Sequence, residues 1–482
     1  MIRSFALAAL LASATMASAA VTYTGNVSFA GDATDLSGLP SAFAGNRLSI
    51  GSDLFYDSAT NSYWGNTDRG PGGGLVDFAP RIHNFTLGIN ADGSTSGYVL
   101  LKTVVFKKDG VPFTGLNPLL APQGDSSVLG LSFDPEGVVV RKNGNFLISD
   151  EYGPSVYEFD PEGNFIRAFE VPANLLPTQG NGTPNFVDGR PVIATGRQDN
   201  RGYEGLTLSP DGKTAYAVLQ DPLVNEGSPD GRRSRNVRIV SFDVESGEAT
   251  GQFIYQLEAL ADINGRIPGT ADDFGANSQG RNIGVSGIIA LDNGKFLVLE
   301  RDNRGLGVDD PTAQNPVGSK RVFLVDLAGA TDVSDTSLAG TNDLPADVTP
   351  VSKTLWLDIQ AELAKAGITV TEKMEGLAIG PRLDNGYAFV VVTDNDFSVT
   401  QTGEGVQFNR CTSGVGGYSV DVSLGEACPS GTYLLNSYAY VFKVSGADLG
   451  VLGVPEPATW AMLIAGFGLV GGMARRRRQL AA

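Results

Sequence analysis

Histidine occurs once in these 482 residues, at His83, and cysteine twice, at Cys411 and Cys428. With so few soft ligands, a zinc site of the usual Cys/His kind cannot be assembled. Histidine-dependent phosphoryl chemistry has a single candidate side chain. G-x-S-x-G is also missing, so the strained elbow that presents a nucleophilic serine in many hydrolases is excluded. Positive charge is scarce too: 35 Lys and Arg face 53 Asp and Glu, a formal charge of −18. That balance argues against nucleic acid as a partner, because phosphate backbones demand basic surfaces. It favours bound cations or plain solubility. Charged residues make up only 18% of the chain while glycine reaches 62, a composition that suits a loop-rich all-β protein.

Both ends carry sorting information. Arg3, an apolar run from Phe5 to Met16 and the small residues Ala17-Ser18-Ala19-Ala20 form a secretory signal peptide over residues 1–20. At the other end Val454-Pro455-Glu456-Pro457 leads into an apolar stretch, Ala458 to Ala474, followed by Arg475 to Arg478. Those 17 residues lie at the short limit for a spanning helix, with the arginines held on the cytoplasmic side. The segment 454–482 resembles the PEP-CTERM sorting signal of Gram-negative bacteria. The resemblance implies transient anchoring by the C-terminal helix, recognition by an exosortase and loss of the tail. With signal peptidase acting at the N-terminus, the expected destination is the periplasm, outer surface or extracellular matrix. In an exported chain Cys411 and Cys428 are expected to pair, which would stabilise a Gly/Ser-rich loop by about 3 kcal/mol.

The roughly 430 residues between these ends repeat themselves, and the domain is expected to span residues 21–450. Glu136-Gly137-Val138, Asn143-Gly144 and Phe146 to Asp150 form one unit. Glu204-Gly205-Leu206, Asp211-Gly212 and Ala215 to Asp221 form a second; Ser286-Gly287-Ile288, Asn293-Gly294 and Phe296 to Asp302 a third; Glu375-Gly376-Leu377, Asn385-Gly386 and Ala388 to Asp394 a fourth. A degenerate copy is placed at Ser37-Gly38-Leu39, with its acidic end at Asp68-Arg69. β-Branched and aromatic runs around Asn-Gly or Asp-Gly are the strongest short-range hairpin signal. A further strand follows most units, so the expected fold is an all-β propeller of about five to six blades. One helix is expected from Lys353 to Ala366, ended by Gly367. The Gly-, Pro- and Asn-rich segments 174–200, 223–236, 303–320 and 398–436 are expected to be long rim loops.

A carboxylate or hydroxyl precedes the glycine of each unit: Glu136, Glu204, Ser286 and Glu375. Acidic groups also close the hairpins: Asp150 and Glu151, Asp221, Glu300 and Asp302, Asp394 and Asp396. Innermost strands line a propeller channel, so these groups are expected to converge at one mouth. Crowded carboxylates repel one another unless a cation joins them, and hard oxygen ligands suit Ca²⁺, or Mg²⁺ with waters. The expected ligands are Glu136, Glu204, Glu300 and Glu375. The bland alternative makes the same residues hairpin caps. Arg69, Arg201 and Arg301 stand beside the acids as ion-pair partners or as forks for an ester's oxygens.

Asp68-Arg69-Gly70, Asp134-Pro135-Glu136-Gly137, Tyr203-Glu204-Gly205-Leu206, Glu300-Arg301-Asp302 and Met374-Glu375-Gly376-Leu377 together resemble the "esterase-like activity of phytase" family. The resemblance runs over roughly residues 31–445. It implies a propeller with Ca²⁺-assisted hydrolysis of phosphoesters or carboxyesters. The expected meeting of carboxylates and arginines at one channel mouth, strengthened by the resemblance, makes Glu375, Arg301 and Arg69 the candidate catalytic groups. Lysines crowding a phytate site are not evident. Gly124-Asp125-Ser126 superficially resembles a GDS-type esterase start, but its partner would have to be His83, upstream and with no acid three positions before it. Metal-activated water is the economical route. A non-catalytic propeller binding extracellular polysaccharide or matrix components is the alternative of a different class.

Overall fold

The computed structural model describes residues 21–40, 44–119, 129–187, 189–291, 294–402 and 405–445. The signal peptide, the sorting tail, Asn293 and Gly124-Asp125-Ser126 lie outside these residues. Five four-stranded antiparallel sheets form the blades. Their innermost strands are Leu54–Asp57, Pro135–Val140, Tyr203–Leu208, Ile283–Ala290 and Lys373–Leu383. Each contacts the next, and the fifth returns to the first. The ring therefore closes at five, and the described residues hold no sixth blade.

The first and last parts of the chain close the ring jointly. Blade 5 runs Lys373–Leu383, Gly386–Asp394 and Ser437–Val444, and its outermost strand is the N-terminal Val21–Phe29. Val21 lies opposite Val444 and Phe29 opposite Ser437. Sheets twist and stack face to face, so the core lies between blades rather than at the axis. Val390, Val392 and Val441 of blade 5 pack on Tyr63 and Phe85 of blade 1. Phe106, Phe113, Phe133, Tyr157 and Phe159 fill the next interface. Burial of each such side chain is worth roughly 1.5–3 kcal/mol.

Three sequence expectations are corrected here. The helix placed at 353–366 is mostly strand: Ser352–Asp358 is the outer strand of blade 4, and only Ile359–Lys365 is helical. Thr354 and Trp356 favour the pleat, while Asp358 accepts the Ala361 N–H and starts the helix nearly two turns later than expected. The degenerate copy at Ser37-Gly38-Leu39 is a loop whose Ser37 bonds Asp35. Blade 1 instead opens at Ser52-Asp53-Leu54. The segment 398–436 is no plain loop. It carries a small sheet of Val399–Gln401, Gln407–Thr412, Ser419–Ser423 and Tyr433–Leu434, inserted between the second and third strands of blade 5. Cys411 and Cys428 are joined within this insert, their Cα atoms 5.7 Å apart.

Candidate functional site

The recurring Glu-Gly pair has a geometric cause. In blades 2 to 5 the pairing of the two inner strands slips where the pair sits: between Pro135 and Val138, Tyr203 and Gly205, Val285 and Gly287, and Met374 and Leu377. Such a bulge re-aims one side chain out of the sheet's alternation. Glu136, Glu204, Ser286 and Glu375 thereby turn into the channel mouth, where all four line one basin. The following glycine permits close approach of the next blade. A Cβ at Gly137 would stand 2.4 Å from the Leu206 nitrogen, and one at Gly287 2.7 Å from the Glu375 carbonyl oxygen.

Blade 1 departs from the pattern and thereby ties neighbouring inner strands together. Asp53 replaces the glycine, and its buried carboxylate accepts the Val138 N–H at 2.9 Å, with Leu54 and Leu377 N–H groups also directed at it. Below it lies a smaller recess of about 190 Å³ lined mainly by apolar residues such as Phe55, Val139, Ile289 and Ile379. Above it is the polar basin of about 370 Å³.

Ten carboxylates line the basin against five cationic side chains. Two sets of three can each bring one oxygen within 4.8 Å of the others: Asp134, Glu136 and Glu151, and Asp68, Asp394 and Asp396. The second set is already served by Lys373, whose Nζ lies 3.5 Å from Asp394 and bonds Asp396. The first set is only flanked. Asp134 accepts the Arg69 N–H at 2.9 Å through Oδ1, while its Oδ2 has no hydrogen bond and lies 3.5 Å from the Arg69 guanidinium. Glu204 Oε2 is likewise buried without a hydrogen bond, although Oε1 accepts from Gln220 at 2.6 Å.

The electrostatics follow from this crowding. Burial, then the charges of Glu204, Asp134, Glu151 and Glu375, push Glu136 well above the usual carboxylate range. Burial raises Asp134 and Glu375 to about 7 each, against the opposing pull of Arg69 on the former and Arg301 on the latter. Glu372 is pushed up to about 8, chiefly by burial and then by Asp396. Arg301 ties the site together: its Nε donates to Ser286 at 2.8 Å, and its terminal nitrogen bonds Glu375 and stands 3.8 Å from Glu204. Arg69 is held by Asn200 and lies over the Tyr152 ring.

Most of the expected site residues meet here; Glu300 does not. Its side chain is buried between blades 3 and 4, where it accepts from Tyr255, the Glu258 N–H at 2.8 Å and Lys353. Strand alternation explains this, since Arg301, one residue on, faces the basin. Asp302 is committed to Lys320 and the Gly318 and Ser319 N–H groups, and Asp150 to the Asp134, Tyr152 and Gly153 N–H groups. These two are caps. His83 is buried in blade 1 beside Thr103, remote from the basin. Sequence reasoning overlooked Lys373 and Arg281. Lys373 stands two residues before Glu375, where Asp134 precedes Glu136, a spacing that could have revealed it; Arg281 lies in an irregular rim segment with no signal.

A family model described as "Phytase-like: Esterase-like activity of phytase" matches residues 47–397, and the PEP-CTERM protein-sorting motif matches residues 453–478. An uncharacterized secreted protein of Arthroderma benhamiae is 30% identical over 356 residues, covering 61% of this chain and 68% of its own. Likenesses to solved structures are looser. A luciferin-regenerating enzyme superposes with a TM-score of 0.31 at 11% identity, over 88% of this chain and 97% of its own. The calcium-binding protein regucalcin of Agrobacterium tumefaciens gives 0.29 at 11% identity, over 77% and 88%. The sorting motif marks this chain as an exported protein. Among the described residues no helix is long and apolar enough to cross a membrane.

Proposed function

The chain belongs to the phytase-like family with esterase-like activity of phytase, and from that premise we propose that its acidic basin hydrolyses ester bonds, of phosphoesters or carboxyesters, with a hard divalent cation as cofactor. The observation that carries this reading is a gathering of buried carboxylate oxygens without a hydrogen bond, Asp134 Oδ2 and Glu204 Oε2 together with Glu372 Oε2 and both oxygens of Asp221, in a basin where acids outnumber bases two to one. All-oxygen donors of that charge fit Ca²⁺. Asp134, Glu136 and Glu151 would hold it, with Glu204 beside them. Bound there, the ion would supply Lewis-acid polarisation and lower the pKa of a water.

The chain's own groups have distinct tasks in this proposal. Arg301, fixed by Ser286 and Glu375, and Arg69, fixed by Asn200, orient the ester through their remaining N–H groups. They offset the negative charge that grows on its oxygens. Glu375, with a pKa near 7, can hold a proton at neutral pH and give it to the departing alkoxide. Asp53 and the ring glycines draw the inner strands together beneath the basin.

The proposal extends to the chain's maturation. Signal peptidase is taken to cut after residue 20, and an exosortase near Pro455-Glu456-Pro457, leaving the propeller at the surface or in the matrix of a Gram-negative cell. The functional test is a panel of phosphoesters and acyl esters with purified protein, in calcium and in chelator. Calcium-dependent turnover supports hydrolysis. A protein inert on every ester that instead binds extracellular polysaccharide would make the basin a binding site.

A further inference from the structure

Four of the five cationic side chains of the basin have a carboxylate at ion-pair distance: Arg69 with Asp134, Arg201 with Asp221, Arg301 with Glu375 and Lys373 with Asp396. Arg281 has none among the described residues. Its only side-chain hydrogen bond there is from one terminal nitrogen to the Asp199 carbonyl oxygen at 2.9 Å. A guanidinium carries five donors, so most of this fork is uncommitted while it lines the basin.

The position is built rather than incidental. Gln198, fully buried, donates to the carbonyl oxygens of Pro222 and Gly280 at 2.7 Å each, which pins the backbone one residue before Arg281. A Cβ at Gly280 would stand 2.4 Å from the Gly231 carbonyl oxygen, so the segment cannot retreat. The same short loop organises three guanidiniums. Asp199 takes Arg281, Asn200 takes Arg69, and Arg201 itself lies 2.9 Å from Asp221 and 3.4 Å from Glu151. Burial first and then repulsion by Arg201 pull Arg281 down to about 10, against the attraction of Asp221, Glu151 and Asp199, none of which comes within ion-pair distance of it among the described residues. A cation so placed gains by acquiring an anion.

We infer that Arg281, backed by Arg201, forms a subsite for an anionic oxygen group of the substrate, phosphoryl or carboxylate, on the side of the basin formed by blades 3 and 4. This rests on the hydrolytic reading and narrows it. The ester cleaved carries a negative charge, and neutral acyl esters are poor substrates. Arg281 acts here as a binding residue that decides substrate class.

The test is calorimetric titration of phenylphosphonate, a non-hydrolysable dianion, into calcium-loaded wild type, Arg281→Ala and Arg281→Lys. The expected result is binding to wild type that weakens at least about tenfold in Arg281→Ala, with partial recovery in Arg281→Lys. Equal affinity in all three, or no binding to wild type, overturns the subsite. Unchanged circular dichroism and melting show that the variants are folded. Should Arg281→Ala fail to fold, Arg281→Lys against wild type still decides the matter, because a lysine cannot reproduce the fork. Turnover of phenyl phosphate and phenyl acetate in parallel separates the two readings. A wild type inert on both that binds the phosphonate through Arg281 defeats hydrolysis and keeps the subsite. A wild type that cleaves both at rates indifferent to Arg281 keeps hydrolysis and defeats the subsite.

Discussion

At the scale of residues, the basin is a store of electrostatic repulsion, and its titration has a definite sign. Asp134 and Glu375, both raised to about 7, bind protons more tightly in the folded than in the unfolded chain. Metal-free protein should therefore lose stability as pH rises from about 4 toward 7, the span between the unfolded and folded values. Thermal melts in chelator at pH 5.5 and pH 8 should show the lower midpoint at pH 8, with calcium shrinking the difference. An equal or higher midpoint at pH 8 would contradict the repulsion. Glu136→Gln removes one ionisable carboxyl from that cluster. It should raise the melting temperature in chelator while blunting the stabilisation by calcium, a free energy of about 2.7 kcal/mol in the wild type at a hundredfold excess over Kd. Arg301→Ala should lower kcat/KM roughly hundredfold. It should not weaken calcium, since it removes a competing cation beside Glu204 and Glu375. Sequence exposed Glu136, Glu204 and Glu375 because a bulge and a neighbouring glycine repeat with them. It misplaced Glu300 because a strand offers two faces, and adjacent charged residues do not declare which one is turned to the channel.

At the scale of elements, the glycine after each glutamate is where two inner strands touch, so chemistry and packing share one dipeptide. Gly137→Ala would press a methyl group against the Leu206 nitrogen. It should cost about 1–3 kcal/mol of stability and weaken calcium through displacement of Glu136. Denaturant titration with and without the ion measures both effects. An unaffected midpoint would mean that the strands yield freely. Four blades were legible because Asn-Gly and Asp-Gly turns punctuate them. Blade 1 was hidden because Ser52-Asp53 replaces Glu-Gly, a substitution that makes sense only once Asp53 is seen bridging three inner strands. The sheet within 398–436 was hidden by its Gly- and Ser-rich turns, and the helix at 359–365 by a preceding strand whose Leu355 and helix residues Ile359 and Leu363 fall at helical spacing. A non-reducing peptide map should recover the Cys411–Cys428 pair that holds this insert; free thiols at both positions would remove it.

At the scale of the whole molecule, ring closure joins Val21–Phe29 to Ser437–Val444, so the propeller is complete only when both are present. Mass spectrometry of surface-extracted protein should find a start near Ala20 or Val21 and no Arg475 to Arg478; an intact C-terminus on mature protein would defeat exosortase processing. The fold and the sorting signals were the most legible features because both are periodic or compositional. The substrate side of the basin was the least legible, because Arg281 and its supports come from irregular rim segments that only the closed ring brings together. In the proposed hydrolysis, the carboxylates around Glu136 hold the divalent cation on which ester cleavage depends. The most direct test of this arrangement is the steady-state rate on phenyl phosphate as a function of free Ca²⁺, measured for wild type and Glu136→Gln. The rate should rise saturably from near zero in chelator, with the variant's curve displaced to higher calcium. A rate indifferent to calcium and chelator, or a variant curve that overlays the wild type, would contradict the arrangement.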